Sequence, residues 1–388
     1  MGVVHLDESK CVQTQGVRSM APTQVAATIS PKHRPHQKGT AYWAPVVVGL
    51  TLVLMAVDVA LDIGTCMTRM ATSERGLIFN EPTHVALDTR TGQVVDVGYD
   101  ALEKVAQSAR HVSVFRPLSQ GTTVDFDVTA RLMSGLFDRA GVSKLSRARV
   151  VLSVPSLATA IERRALRQAA VQAGAREVSL VEAPLAAAIG LGMPVQDPVG
   201  SAVSLLGGGA CEVAIISLGG IVTGAGRRQG GYDIDQTIAQ MLRTNYGVVV
   251  SPANLEFLKN KLGSAQNSSR GEMEVIAART VNEGTPVQVE VTAELVNMAL
   301  YEVTSSVVRM VQDCLGDTPP DLSQDVSSMG LTLVGGLSQV RDFSSLVADN
   351  TGVAVNVAFE PDLAVIKGLV MCLEEMSSLH ALFRSADR

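Results

Sequence analysis

The chain has 388 residues, of which 46% are apolar and 18% charged, with a formal net charge of -6. That length and apolar content can bury at least one large core and favour two or more domains. An acidic balance without a clustered basic face excludes nucleic acid as an expected partner. Five cysteines, Cys11, Cys66, Cys211, Cys314 and Cys372, are scattered with no CxxC pair or metal-ligand spacing. They fit free thiols in a reducing compartment, so a cytoplasmic location is expected.

Residues 1–56 differ from the rest. The first forty are rich in Ser, Thr, Gln, Pro, His and Lys without apolar periodicity, a composition that predicts disorder. Residues 44–57 (APVVVGLTLVLMAV) are uncharged and follow the basic run PKHRPHQK and the pair Tyr42–Trp43, the pattern of a membrane signal-anchor. The run is shorter than the roughly 18 apolar residues a spanning helix requires. A membrane-associated segment, a buried strand extension and a mis-assigned start with Met55 as the true first residue all remain open.

From Val57 onward, short β-branched runs (VALDI, VVLSV, VAIISL, LTLV) alternate with helical segments, which predicts α/β architecture with mixed sheets covered by helices. Residues 159–174 read as a helix. Thr159 and Glu162 form a capping box, Ile161, Ala165, Ala169 and Ala173 recur on one face, and Gly174 is the stop. Arg163, Arg164 and Arg167 then point outward, as a solvated face or a subunit contact.

An internal repeat carries more information. VALDIGTCMTRMA around Gly64 and VSLLGGGACEVAII around Gly208 are each a strand, a glycine turn with small residues, and a second strand. Two such units suggest two similar lobes facing each other. Glycine turns let backbone N–H groups approach an anion with no Cβ in the way, so a pair can grip a phosphate chain from both sides. A third glycine turn follows LTLV at Gly335 and Gly336.

At these residues the chain becomes recognisable. LDIGT, GLIFNEPTHVAL, RPLSQGTTVDFDVTARLM, SVPS, the long stretch ERRALRQAAVQAGAREVSLVEAPLAAAIGLGMPV, AIISLGGIVT and GGYDID occur in the same order as in MreB/Mbl-type bacterial actins. The resemblance runs from residue 57 to about residue 373. It implies the actin and heat-shock-chaperone ATPase fold, with two lobes, each having an inner α/β subdomain, and ATP with Mg²⁺ in the cleft between them. On this basis lobe I takes residues 57–197 and 359–388, and lobe II residues 198–358. The resemblance also implies self-assembly into antiparallel double protofilaments, work alongside inner-membrane morphogenesis proteins, and a role in cell shape and wall growth.

The family's positions carry over one by one. The first phosphate hairpin reads Asp62, Ile63, Gly64, Thr65, Cys66, Met67, where the family writes DLGTAN; Asp62 is present as the carboxylate that holds the Mg²⁺ water shell, and Met67 replaces a phosphate-binding amide. The second reads Leu205, Leu206, Gly207, Gly208, Gly209, Ala210, Cys211, Glu212 against DIGGGTTE, so a metal-side carboxylate and a hydroxyl become aliphatic. Ala183 stands where the family carries the glutamate that activates the hydrolytic water, and its neighbour Glu182 points to a different side. Glu256 and Lys259, helical neighbours at i and i+3, match the nucleoside contacts. The third turn reads Gly335, Gly336, Leu337, Ser338, with Leu337 in place of a further glycine, and Tyr232 replaces an aspartate.

Phosphoryl transfer to water needs metal neutralisation and a positioned water. The losses at Ala183, Leu205 and Ala210 therefore predict hydrolysis that is weak or absent. Two functions follow as expectations: a nucleotide-binding filament subunit, or a nucleotide-independent pseudo-actin that regulates or copolymerises with an active paralogue. A sugar or acetate kinase would need an acceptor pocket with a catalytic carboxylate, which the sequence does not offer. His84, His111 and His380 stand isolated and read as surface or satisfied residues.

Overall fold

The computed structural model describes residues 58–106, 111–123, 125–142 and 148–374. The expectations for residues 1–57, including the apolar run and Met55, lie outside the described residues, as do Cys11 and His380. No helix among the described residues is long and apolar enough to cross a membrane.

The two sequence repeats become two sheets of one topology. In the first, β1 (Val59–Ile63), β2 (Met67–Thr72) and β3 (Gly76–Pro82) form an antiparallel meander. Then β4 (Arg149–Val154) and β5 (Glu177–Glu182) add parallel strands beyond β1, giving the order β5-β4-β1-β2-β3. In the second, β6 (Ser201–Leu206), β7 (Cys211–Ser217) and β8 (Gly220–Arg227) repeat the meander. The parallel strands β9 (Leu331–Val334) and β10 (Val355–Val357) complete the order β8-β7-β6-β9-β10. The parallel strands are fed by helical crossovers, as parallel pairing requires.

Helices bury each sheet. On the first, α1 (Phe126–Ala140) starts where the Asp125 carboxylate accepts from the Val128 N–H and stops at Gly141, whose φ is 74°. Its residues Leu132, Met133, Leu136 and Phe137 are fully buried with Leu61, Met70 and Leu152, each such side chain contributing about 1.5–3 kcal/mol of burial. The second helix, α2 (Ala160–Ala173), has the expected capping box of Thr159 and Glu162 and the expected stop at Gly174. Its buried face differs from expectation. Leu166, Ala169, Ala170 and Ala173 pack inward, whereas Ile161 in the first turn is 81% exposed. Arg163 is likewise not a solvated side chain: its Nη2 donates to Glu182 Oε1 at 2.8 Å and to the Ser156 carbonyl at 2.9 Å.

Further helices that cover the sheets are α3 (Ala183–Gly190), α4 (Gly231–Tyr246), α5 (Pro252–Leu262), α6 (Ala293–Gly316) and α7 (Ala364–Glu374). Helices α4 to α6 cover the second sheet around Leu206, Ile215, Ile234, Leu258 and Val311. Helices α3 and α7 fill a third core with Ala60 and Ala71 of the first sheet and Val203 and Ala214 of the second. They cross so closely that a Cβ on Gly368 would stand 1.7 Å from the Ala186 carbonyl oxygen. This helix pair packs between the two sheets and contributes Ala183 and Val365 to the lining of the cleft.

Candidate functional site

The turns that close β1–β2 and β6–β7 are built alike. The Gly64 N–H donates to the Met67 carbonyl at 2.9 Å, and the Gly207 N–H donates to the Ala210 carbonyl at 3.0 Å. Their tips meet across the cleft. A Cβ on Gly208 would lie 2.4 Å from Cys66 Sγ, and one on Gly209 would lie 2.1 Å from Thr65 Oγ1. Real Cβ atoms do not approach that closely, so the pair of turns demands glycine at these two positions. Thr65 Oγ1 also accepts from the Gly121 N–H at 2.9 Å.

These tips line a cavity of about 1010 Å³, the size range of a large ligand site. Around it the fold gathers Asp62, Gly64, Thr65, Cys66 and Met67 from the first hairpin and Leu205, Gly207, Gly208, Gly209 and Ala210 from the second. Ala183 at the start of α3, Glu256 and Lys259 on α5, and Gly335, Gly336 and Leu337 after β9 complete it. Of the residues singled out in the sequence, Ser338 does not line the cavity; its hydroxyl donates to the Gly335 carbonyl at 2.6 Å and secures the third turn. Glu182 is also absent from the lining, held by Arg163.

Arg116 and Asp235 in the cleft were not legible as site residues, and His84 was read as isolated. Tyr232 lies under the Arg116 guanidinium, 4.2 Å from its ring centroid, and Nε and Nη1 of Arg116 are buried without hydrogen-bond partners. His84 lines the cavity too, with Nδ1 buried and unpartnered, so it is not a satisfied residue. Burial, with the Arg116 charge second, lowers its pKa to about 4. Glu212 accepts from the N–H and Oγ of Ser156 at 2.7 and 2.6 Å, and burial raises its pKa. On α5, Lys259 donates to Asp235 at 2.9 Å and to the Gly231 carbonyl at 3.0 Å.

Arg69 could have been found by hairpin register alone. Residues equidistant from the turn pair across it, which sets Asp62 opposite Arg69 and Leu205 opposite Glu212. The first hairpin thus carries a carboxylate and a cation where the second carries an aliphatic and a carboxylate.

The fit to the two implied groups differs. For a phosphate chain, the two glycine turns bring backbone and small residues together at the wall of one cavity. For Mg²⁺, the donors do not fit. Asp62 is the sole carboxylate on β1 facing the cleft; one of its oxygens accepts from Ser153 Oγ at 2.6 Å, and the other faces Arg69 Nη1 at 3.9 Å. Burial raises the Asp62 pKa, against the opposing pull of Arg69 and Ser153. Leu205 offers no side-chain oxygen where the resemblance implies a second metal-side carboxylate, whereas Mg²⁺ demands near-octahedral oxygen ligation. Among the described residues, no group of three or more His, Cys, Asp or Glu is placed to hold a metal ion.

Duplicated sheets, paired glycine turns and an intervening cleft define an actin-like two-lobed protein. The fold matches that of MreB5 of Spiroplasma citri solved with ADP, at a TM-score of 0.75 and 26% identity, covering 85% of this chain and 99% of that one. It also matches a MamK double helical filament at a TM-score of 0.69 and 18% identity, covering 82% and 99%, a likeness of fold alone. In sequence, residues 56–381 match the family model described as MreB/Mbl protein. The cell shape-determining protein MreB of Escherichia coli K12 is 36% identical over 329 residues, spanning 83% of this chain and 94% of the relative. The cell shape-determining protein Mbl of Bacillus subtilis 168 is 31% identical over 327 residues, spanning 84% and 98%. The chain belongs to the MreB/Mbl family of cell shape-determining cytoskeletal proteins.

Proposed function

We propose that this chain is a cytoplasmic filament subunit that binds ATP in its cleft and hydrolyses it very slowly or not at all. The observation that carries the proposal is the pairing of intact glycine turns with aliphatic side chains at Ala183, Leu205 and Ala210. The turns supply what binding requires. The aliphatic groups remove what chemistry requires, a metal clamp and a polarised water, each worth about 10²- to 10⁴-fold where it acts as an acid–base group. Two carboxylates near the site do not substitute for them. Glu182 is committed to Arg163, and Glu212 is held by Ser156 in a buried setting that favours its protonated form.

Nucleotide occupancy is supported by MreB5 of Spiroplasma citri, solved with ADP and with AMPPNP. Bound between the hairpins, ATP would hold the lobes together, and the contacts of Thr65, Gly64, Gly207, Gly208 and Gly209 would fall on its phosphates, with Glu256 and Lys259 on the nucleoside side. The lobe division into residues 57–197 with 359–388 and residues 198–358 is part of the same proposal, supported by the matching strand order of the two sheets. Self-association into an antiparallel double protofilament beside inner-membrane morphogenesis proteins is the assembly we assign to it.

The second reading, a nucleotide-independent pseudo-actin that copolymerises with an active paralogue, is favoured by one observation: Tyr232 and Arg116 already bridge the cleft from opposite lobes. Sedimentation separates the two. Pelleting of the protein alone with ATP supports the self-assembling subunit; pelleting only in the presence of an active paralogue supports the accessory role.

A further inference from the structure

We propose that Arg69 takes the place of the divalent cation, so that the cleft binds the phosphate chain of a nucleotide without metal. This rests on the proposal that the cleft binds nucleotide. Four observations carry it. The register of the first hairpin sets Arg69 directly opposite Asp62, and both line the cavity. Nη1 of Arg69 stands 3.9 Å from the Asp62 carboxylate, and Nη2 donates to Asp362 at 3.2 Å, so the guanidinium is anchored at the cleft wall. Its Nε–H is buried with no hydrogen-bond partner. Leu205, where the resemblance implies a second metal-side carboxylate, is aliphatic and lines the same cavity.

The chemistry follows from these facts. A buried guanidinium N–H without an acceptor is costly and is satisfied by an anionic oxygen. Arginine is also the side chain whose fixed fork matches phosphate geometry and whose charge does not titrate. Across the cavity, Arg116 adds a second guanidinium with two unpartnered donors. The carboxylates of the lining are largely engaged: Asp235 by Lys259, Glu162 by Arg228, Glu212 by Ser156. Arg69 therefore places a guanidinium beside Asp62, the carboxylate that the resemblance assigns to the Mg²⁺ water shell.

Calorimetric titration of the full chain with ATP, in Mg²⁺ and in EDTA, tests the proposal, alongside Arg69→Leu and Arg69→Lys. Wild type is expected to bind with dissociation constants within about threefold in the two buffers. Arg69→Leu is expected to bind at least about tenfold more weakly in EDTA, the scale of one hydrogen bond to a charged group. Arg69→Lys, which keeps the charge, is expected to recover part of that loss, which separates charge loss from misfolding. Wild-type binding that weakens tenfold or more in EDTA overturns the proposal while leaving nucleotide binding intact. Metal-independent binding that Arg69→Leu leaves unchanged overturns the role of Arg69. No binding by wild type in either buffer overturns nucleotide binding itself and this proposal with it.

Discussion

Arg116, from the segment between the first sheet and α1, stands over the ring of Tyr232 at the start of α4 in a cation–π contact of 4.2 Å. Both residues line the cleft, as do Lys259 and Asp235. Removing the ring in Tyr232→Ala is expected to lower stability by about 0.5–2 kcal/mol and to loosen the cleft. Urea unfolding measures the first effect. Faster limited proteolysis in the absence of nucleotide reads the second, and an unchanged cleavage rate would count against the cleft-closing role.

A chain with Leu205, Ala183 and Ala210 at the cleft is expected to release no phosphate above the buffer background. Restoring Ala183→Glu, Leu205→Asp and Ala210→Thr together with Arg69→Leu is expected to raise turnover at least about a hundredfold in Mg²⁺, the lower value for a single acid–base group. A phosphate-release assay decides it. Wild-type turnover comparable to the restored chain would mean that other residues, Glu212 foremost, do the work.

His84 gives the stability a definite pH dependence. Its folded pKa, lowered to about 4 by burial and then by the Arg116 charge, lies below the unfolded value of 6.5. Between those pH values the unfolded chain binds a proton that the native chain refuses, so stability falls as pH drops from 6.5 toward 4 and is fully present above 6.5. Thermal melts of wild type and His84→Gln across this window are expected to converge at low pH, with a flatter profile for the variant. Parallel profiles would refute the assignment.

The crossing of α3 and α7 tolerates no side chain. Gly368→Ala places a methyl group 1.7 Å from the Ala186 carbonyl oxygen, and Gly190→Ala places one 2.1 Å from that of Ala364. Each is expected to destabilise by about 1–3 kcal/mol or more, measurable as a lower urea midpoint. Equal midpoints would mean that the helix pair separates without cost.

Much of the molecule was legible in the chain itself, for local reasons. The run VALDI is strand β1 and LTLV is β9 to the residue, because β-branched and aliphatic residues bounded by glycine have little alternative to a buried strand. Thr159, Glu162 and Gly174 mark the ends of α2 because capping satisfies N–H and C=O groups within three or four residues. The glycine turns at Gly64 and Gly207 were visible as a repeat, and the aliphatic residues at Ala183, Leu205 and Ala210 were visible against the family pattern. What sequence spacing cannot supply is which side of an element meets which neighbour. Ile161 fits the apolar period of α2 and is still exposed. Arg163 looked like surface and is buried against Glu182, a partner nineteen positions away. His84 looked isolated until Arg116 and the cleft surrounded it. Arg69 became meaningful only when the hairpin set it opposite Asp62. The sequence by itself determined the duplicated strand–turn–strand units and the aliphatic residues within them, since both depend on residues close together along the chain. Only the tertiary structure decided which charges share the cleft, since burial, desolvation and pairing depend on groups that the chain brings together from far apart.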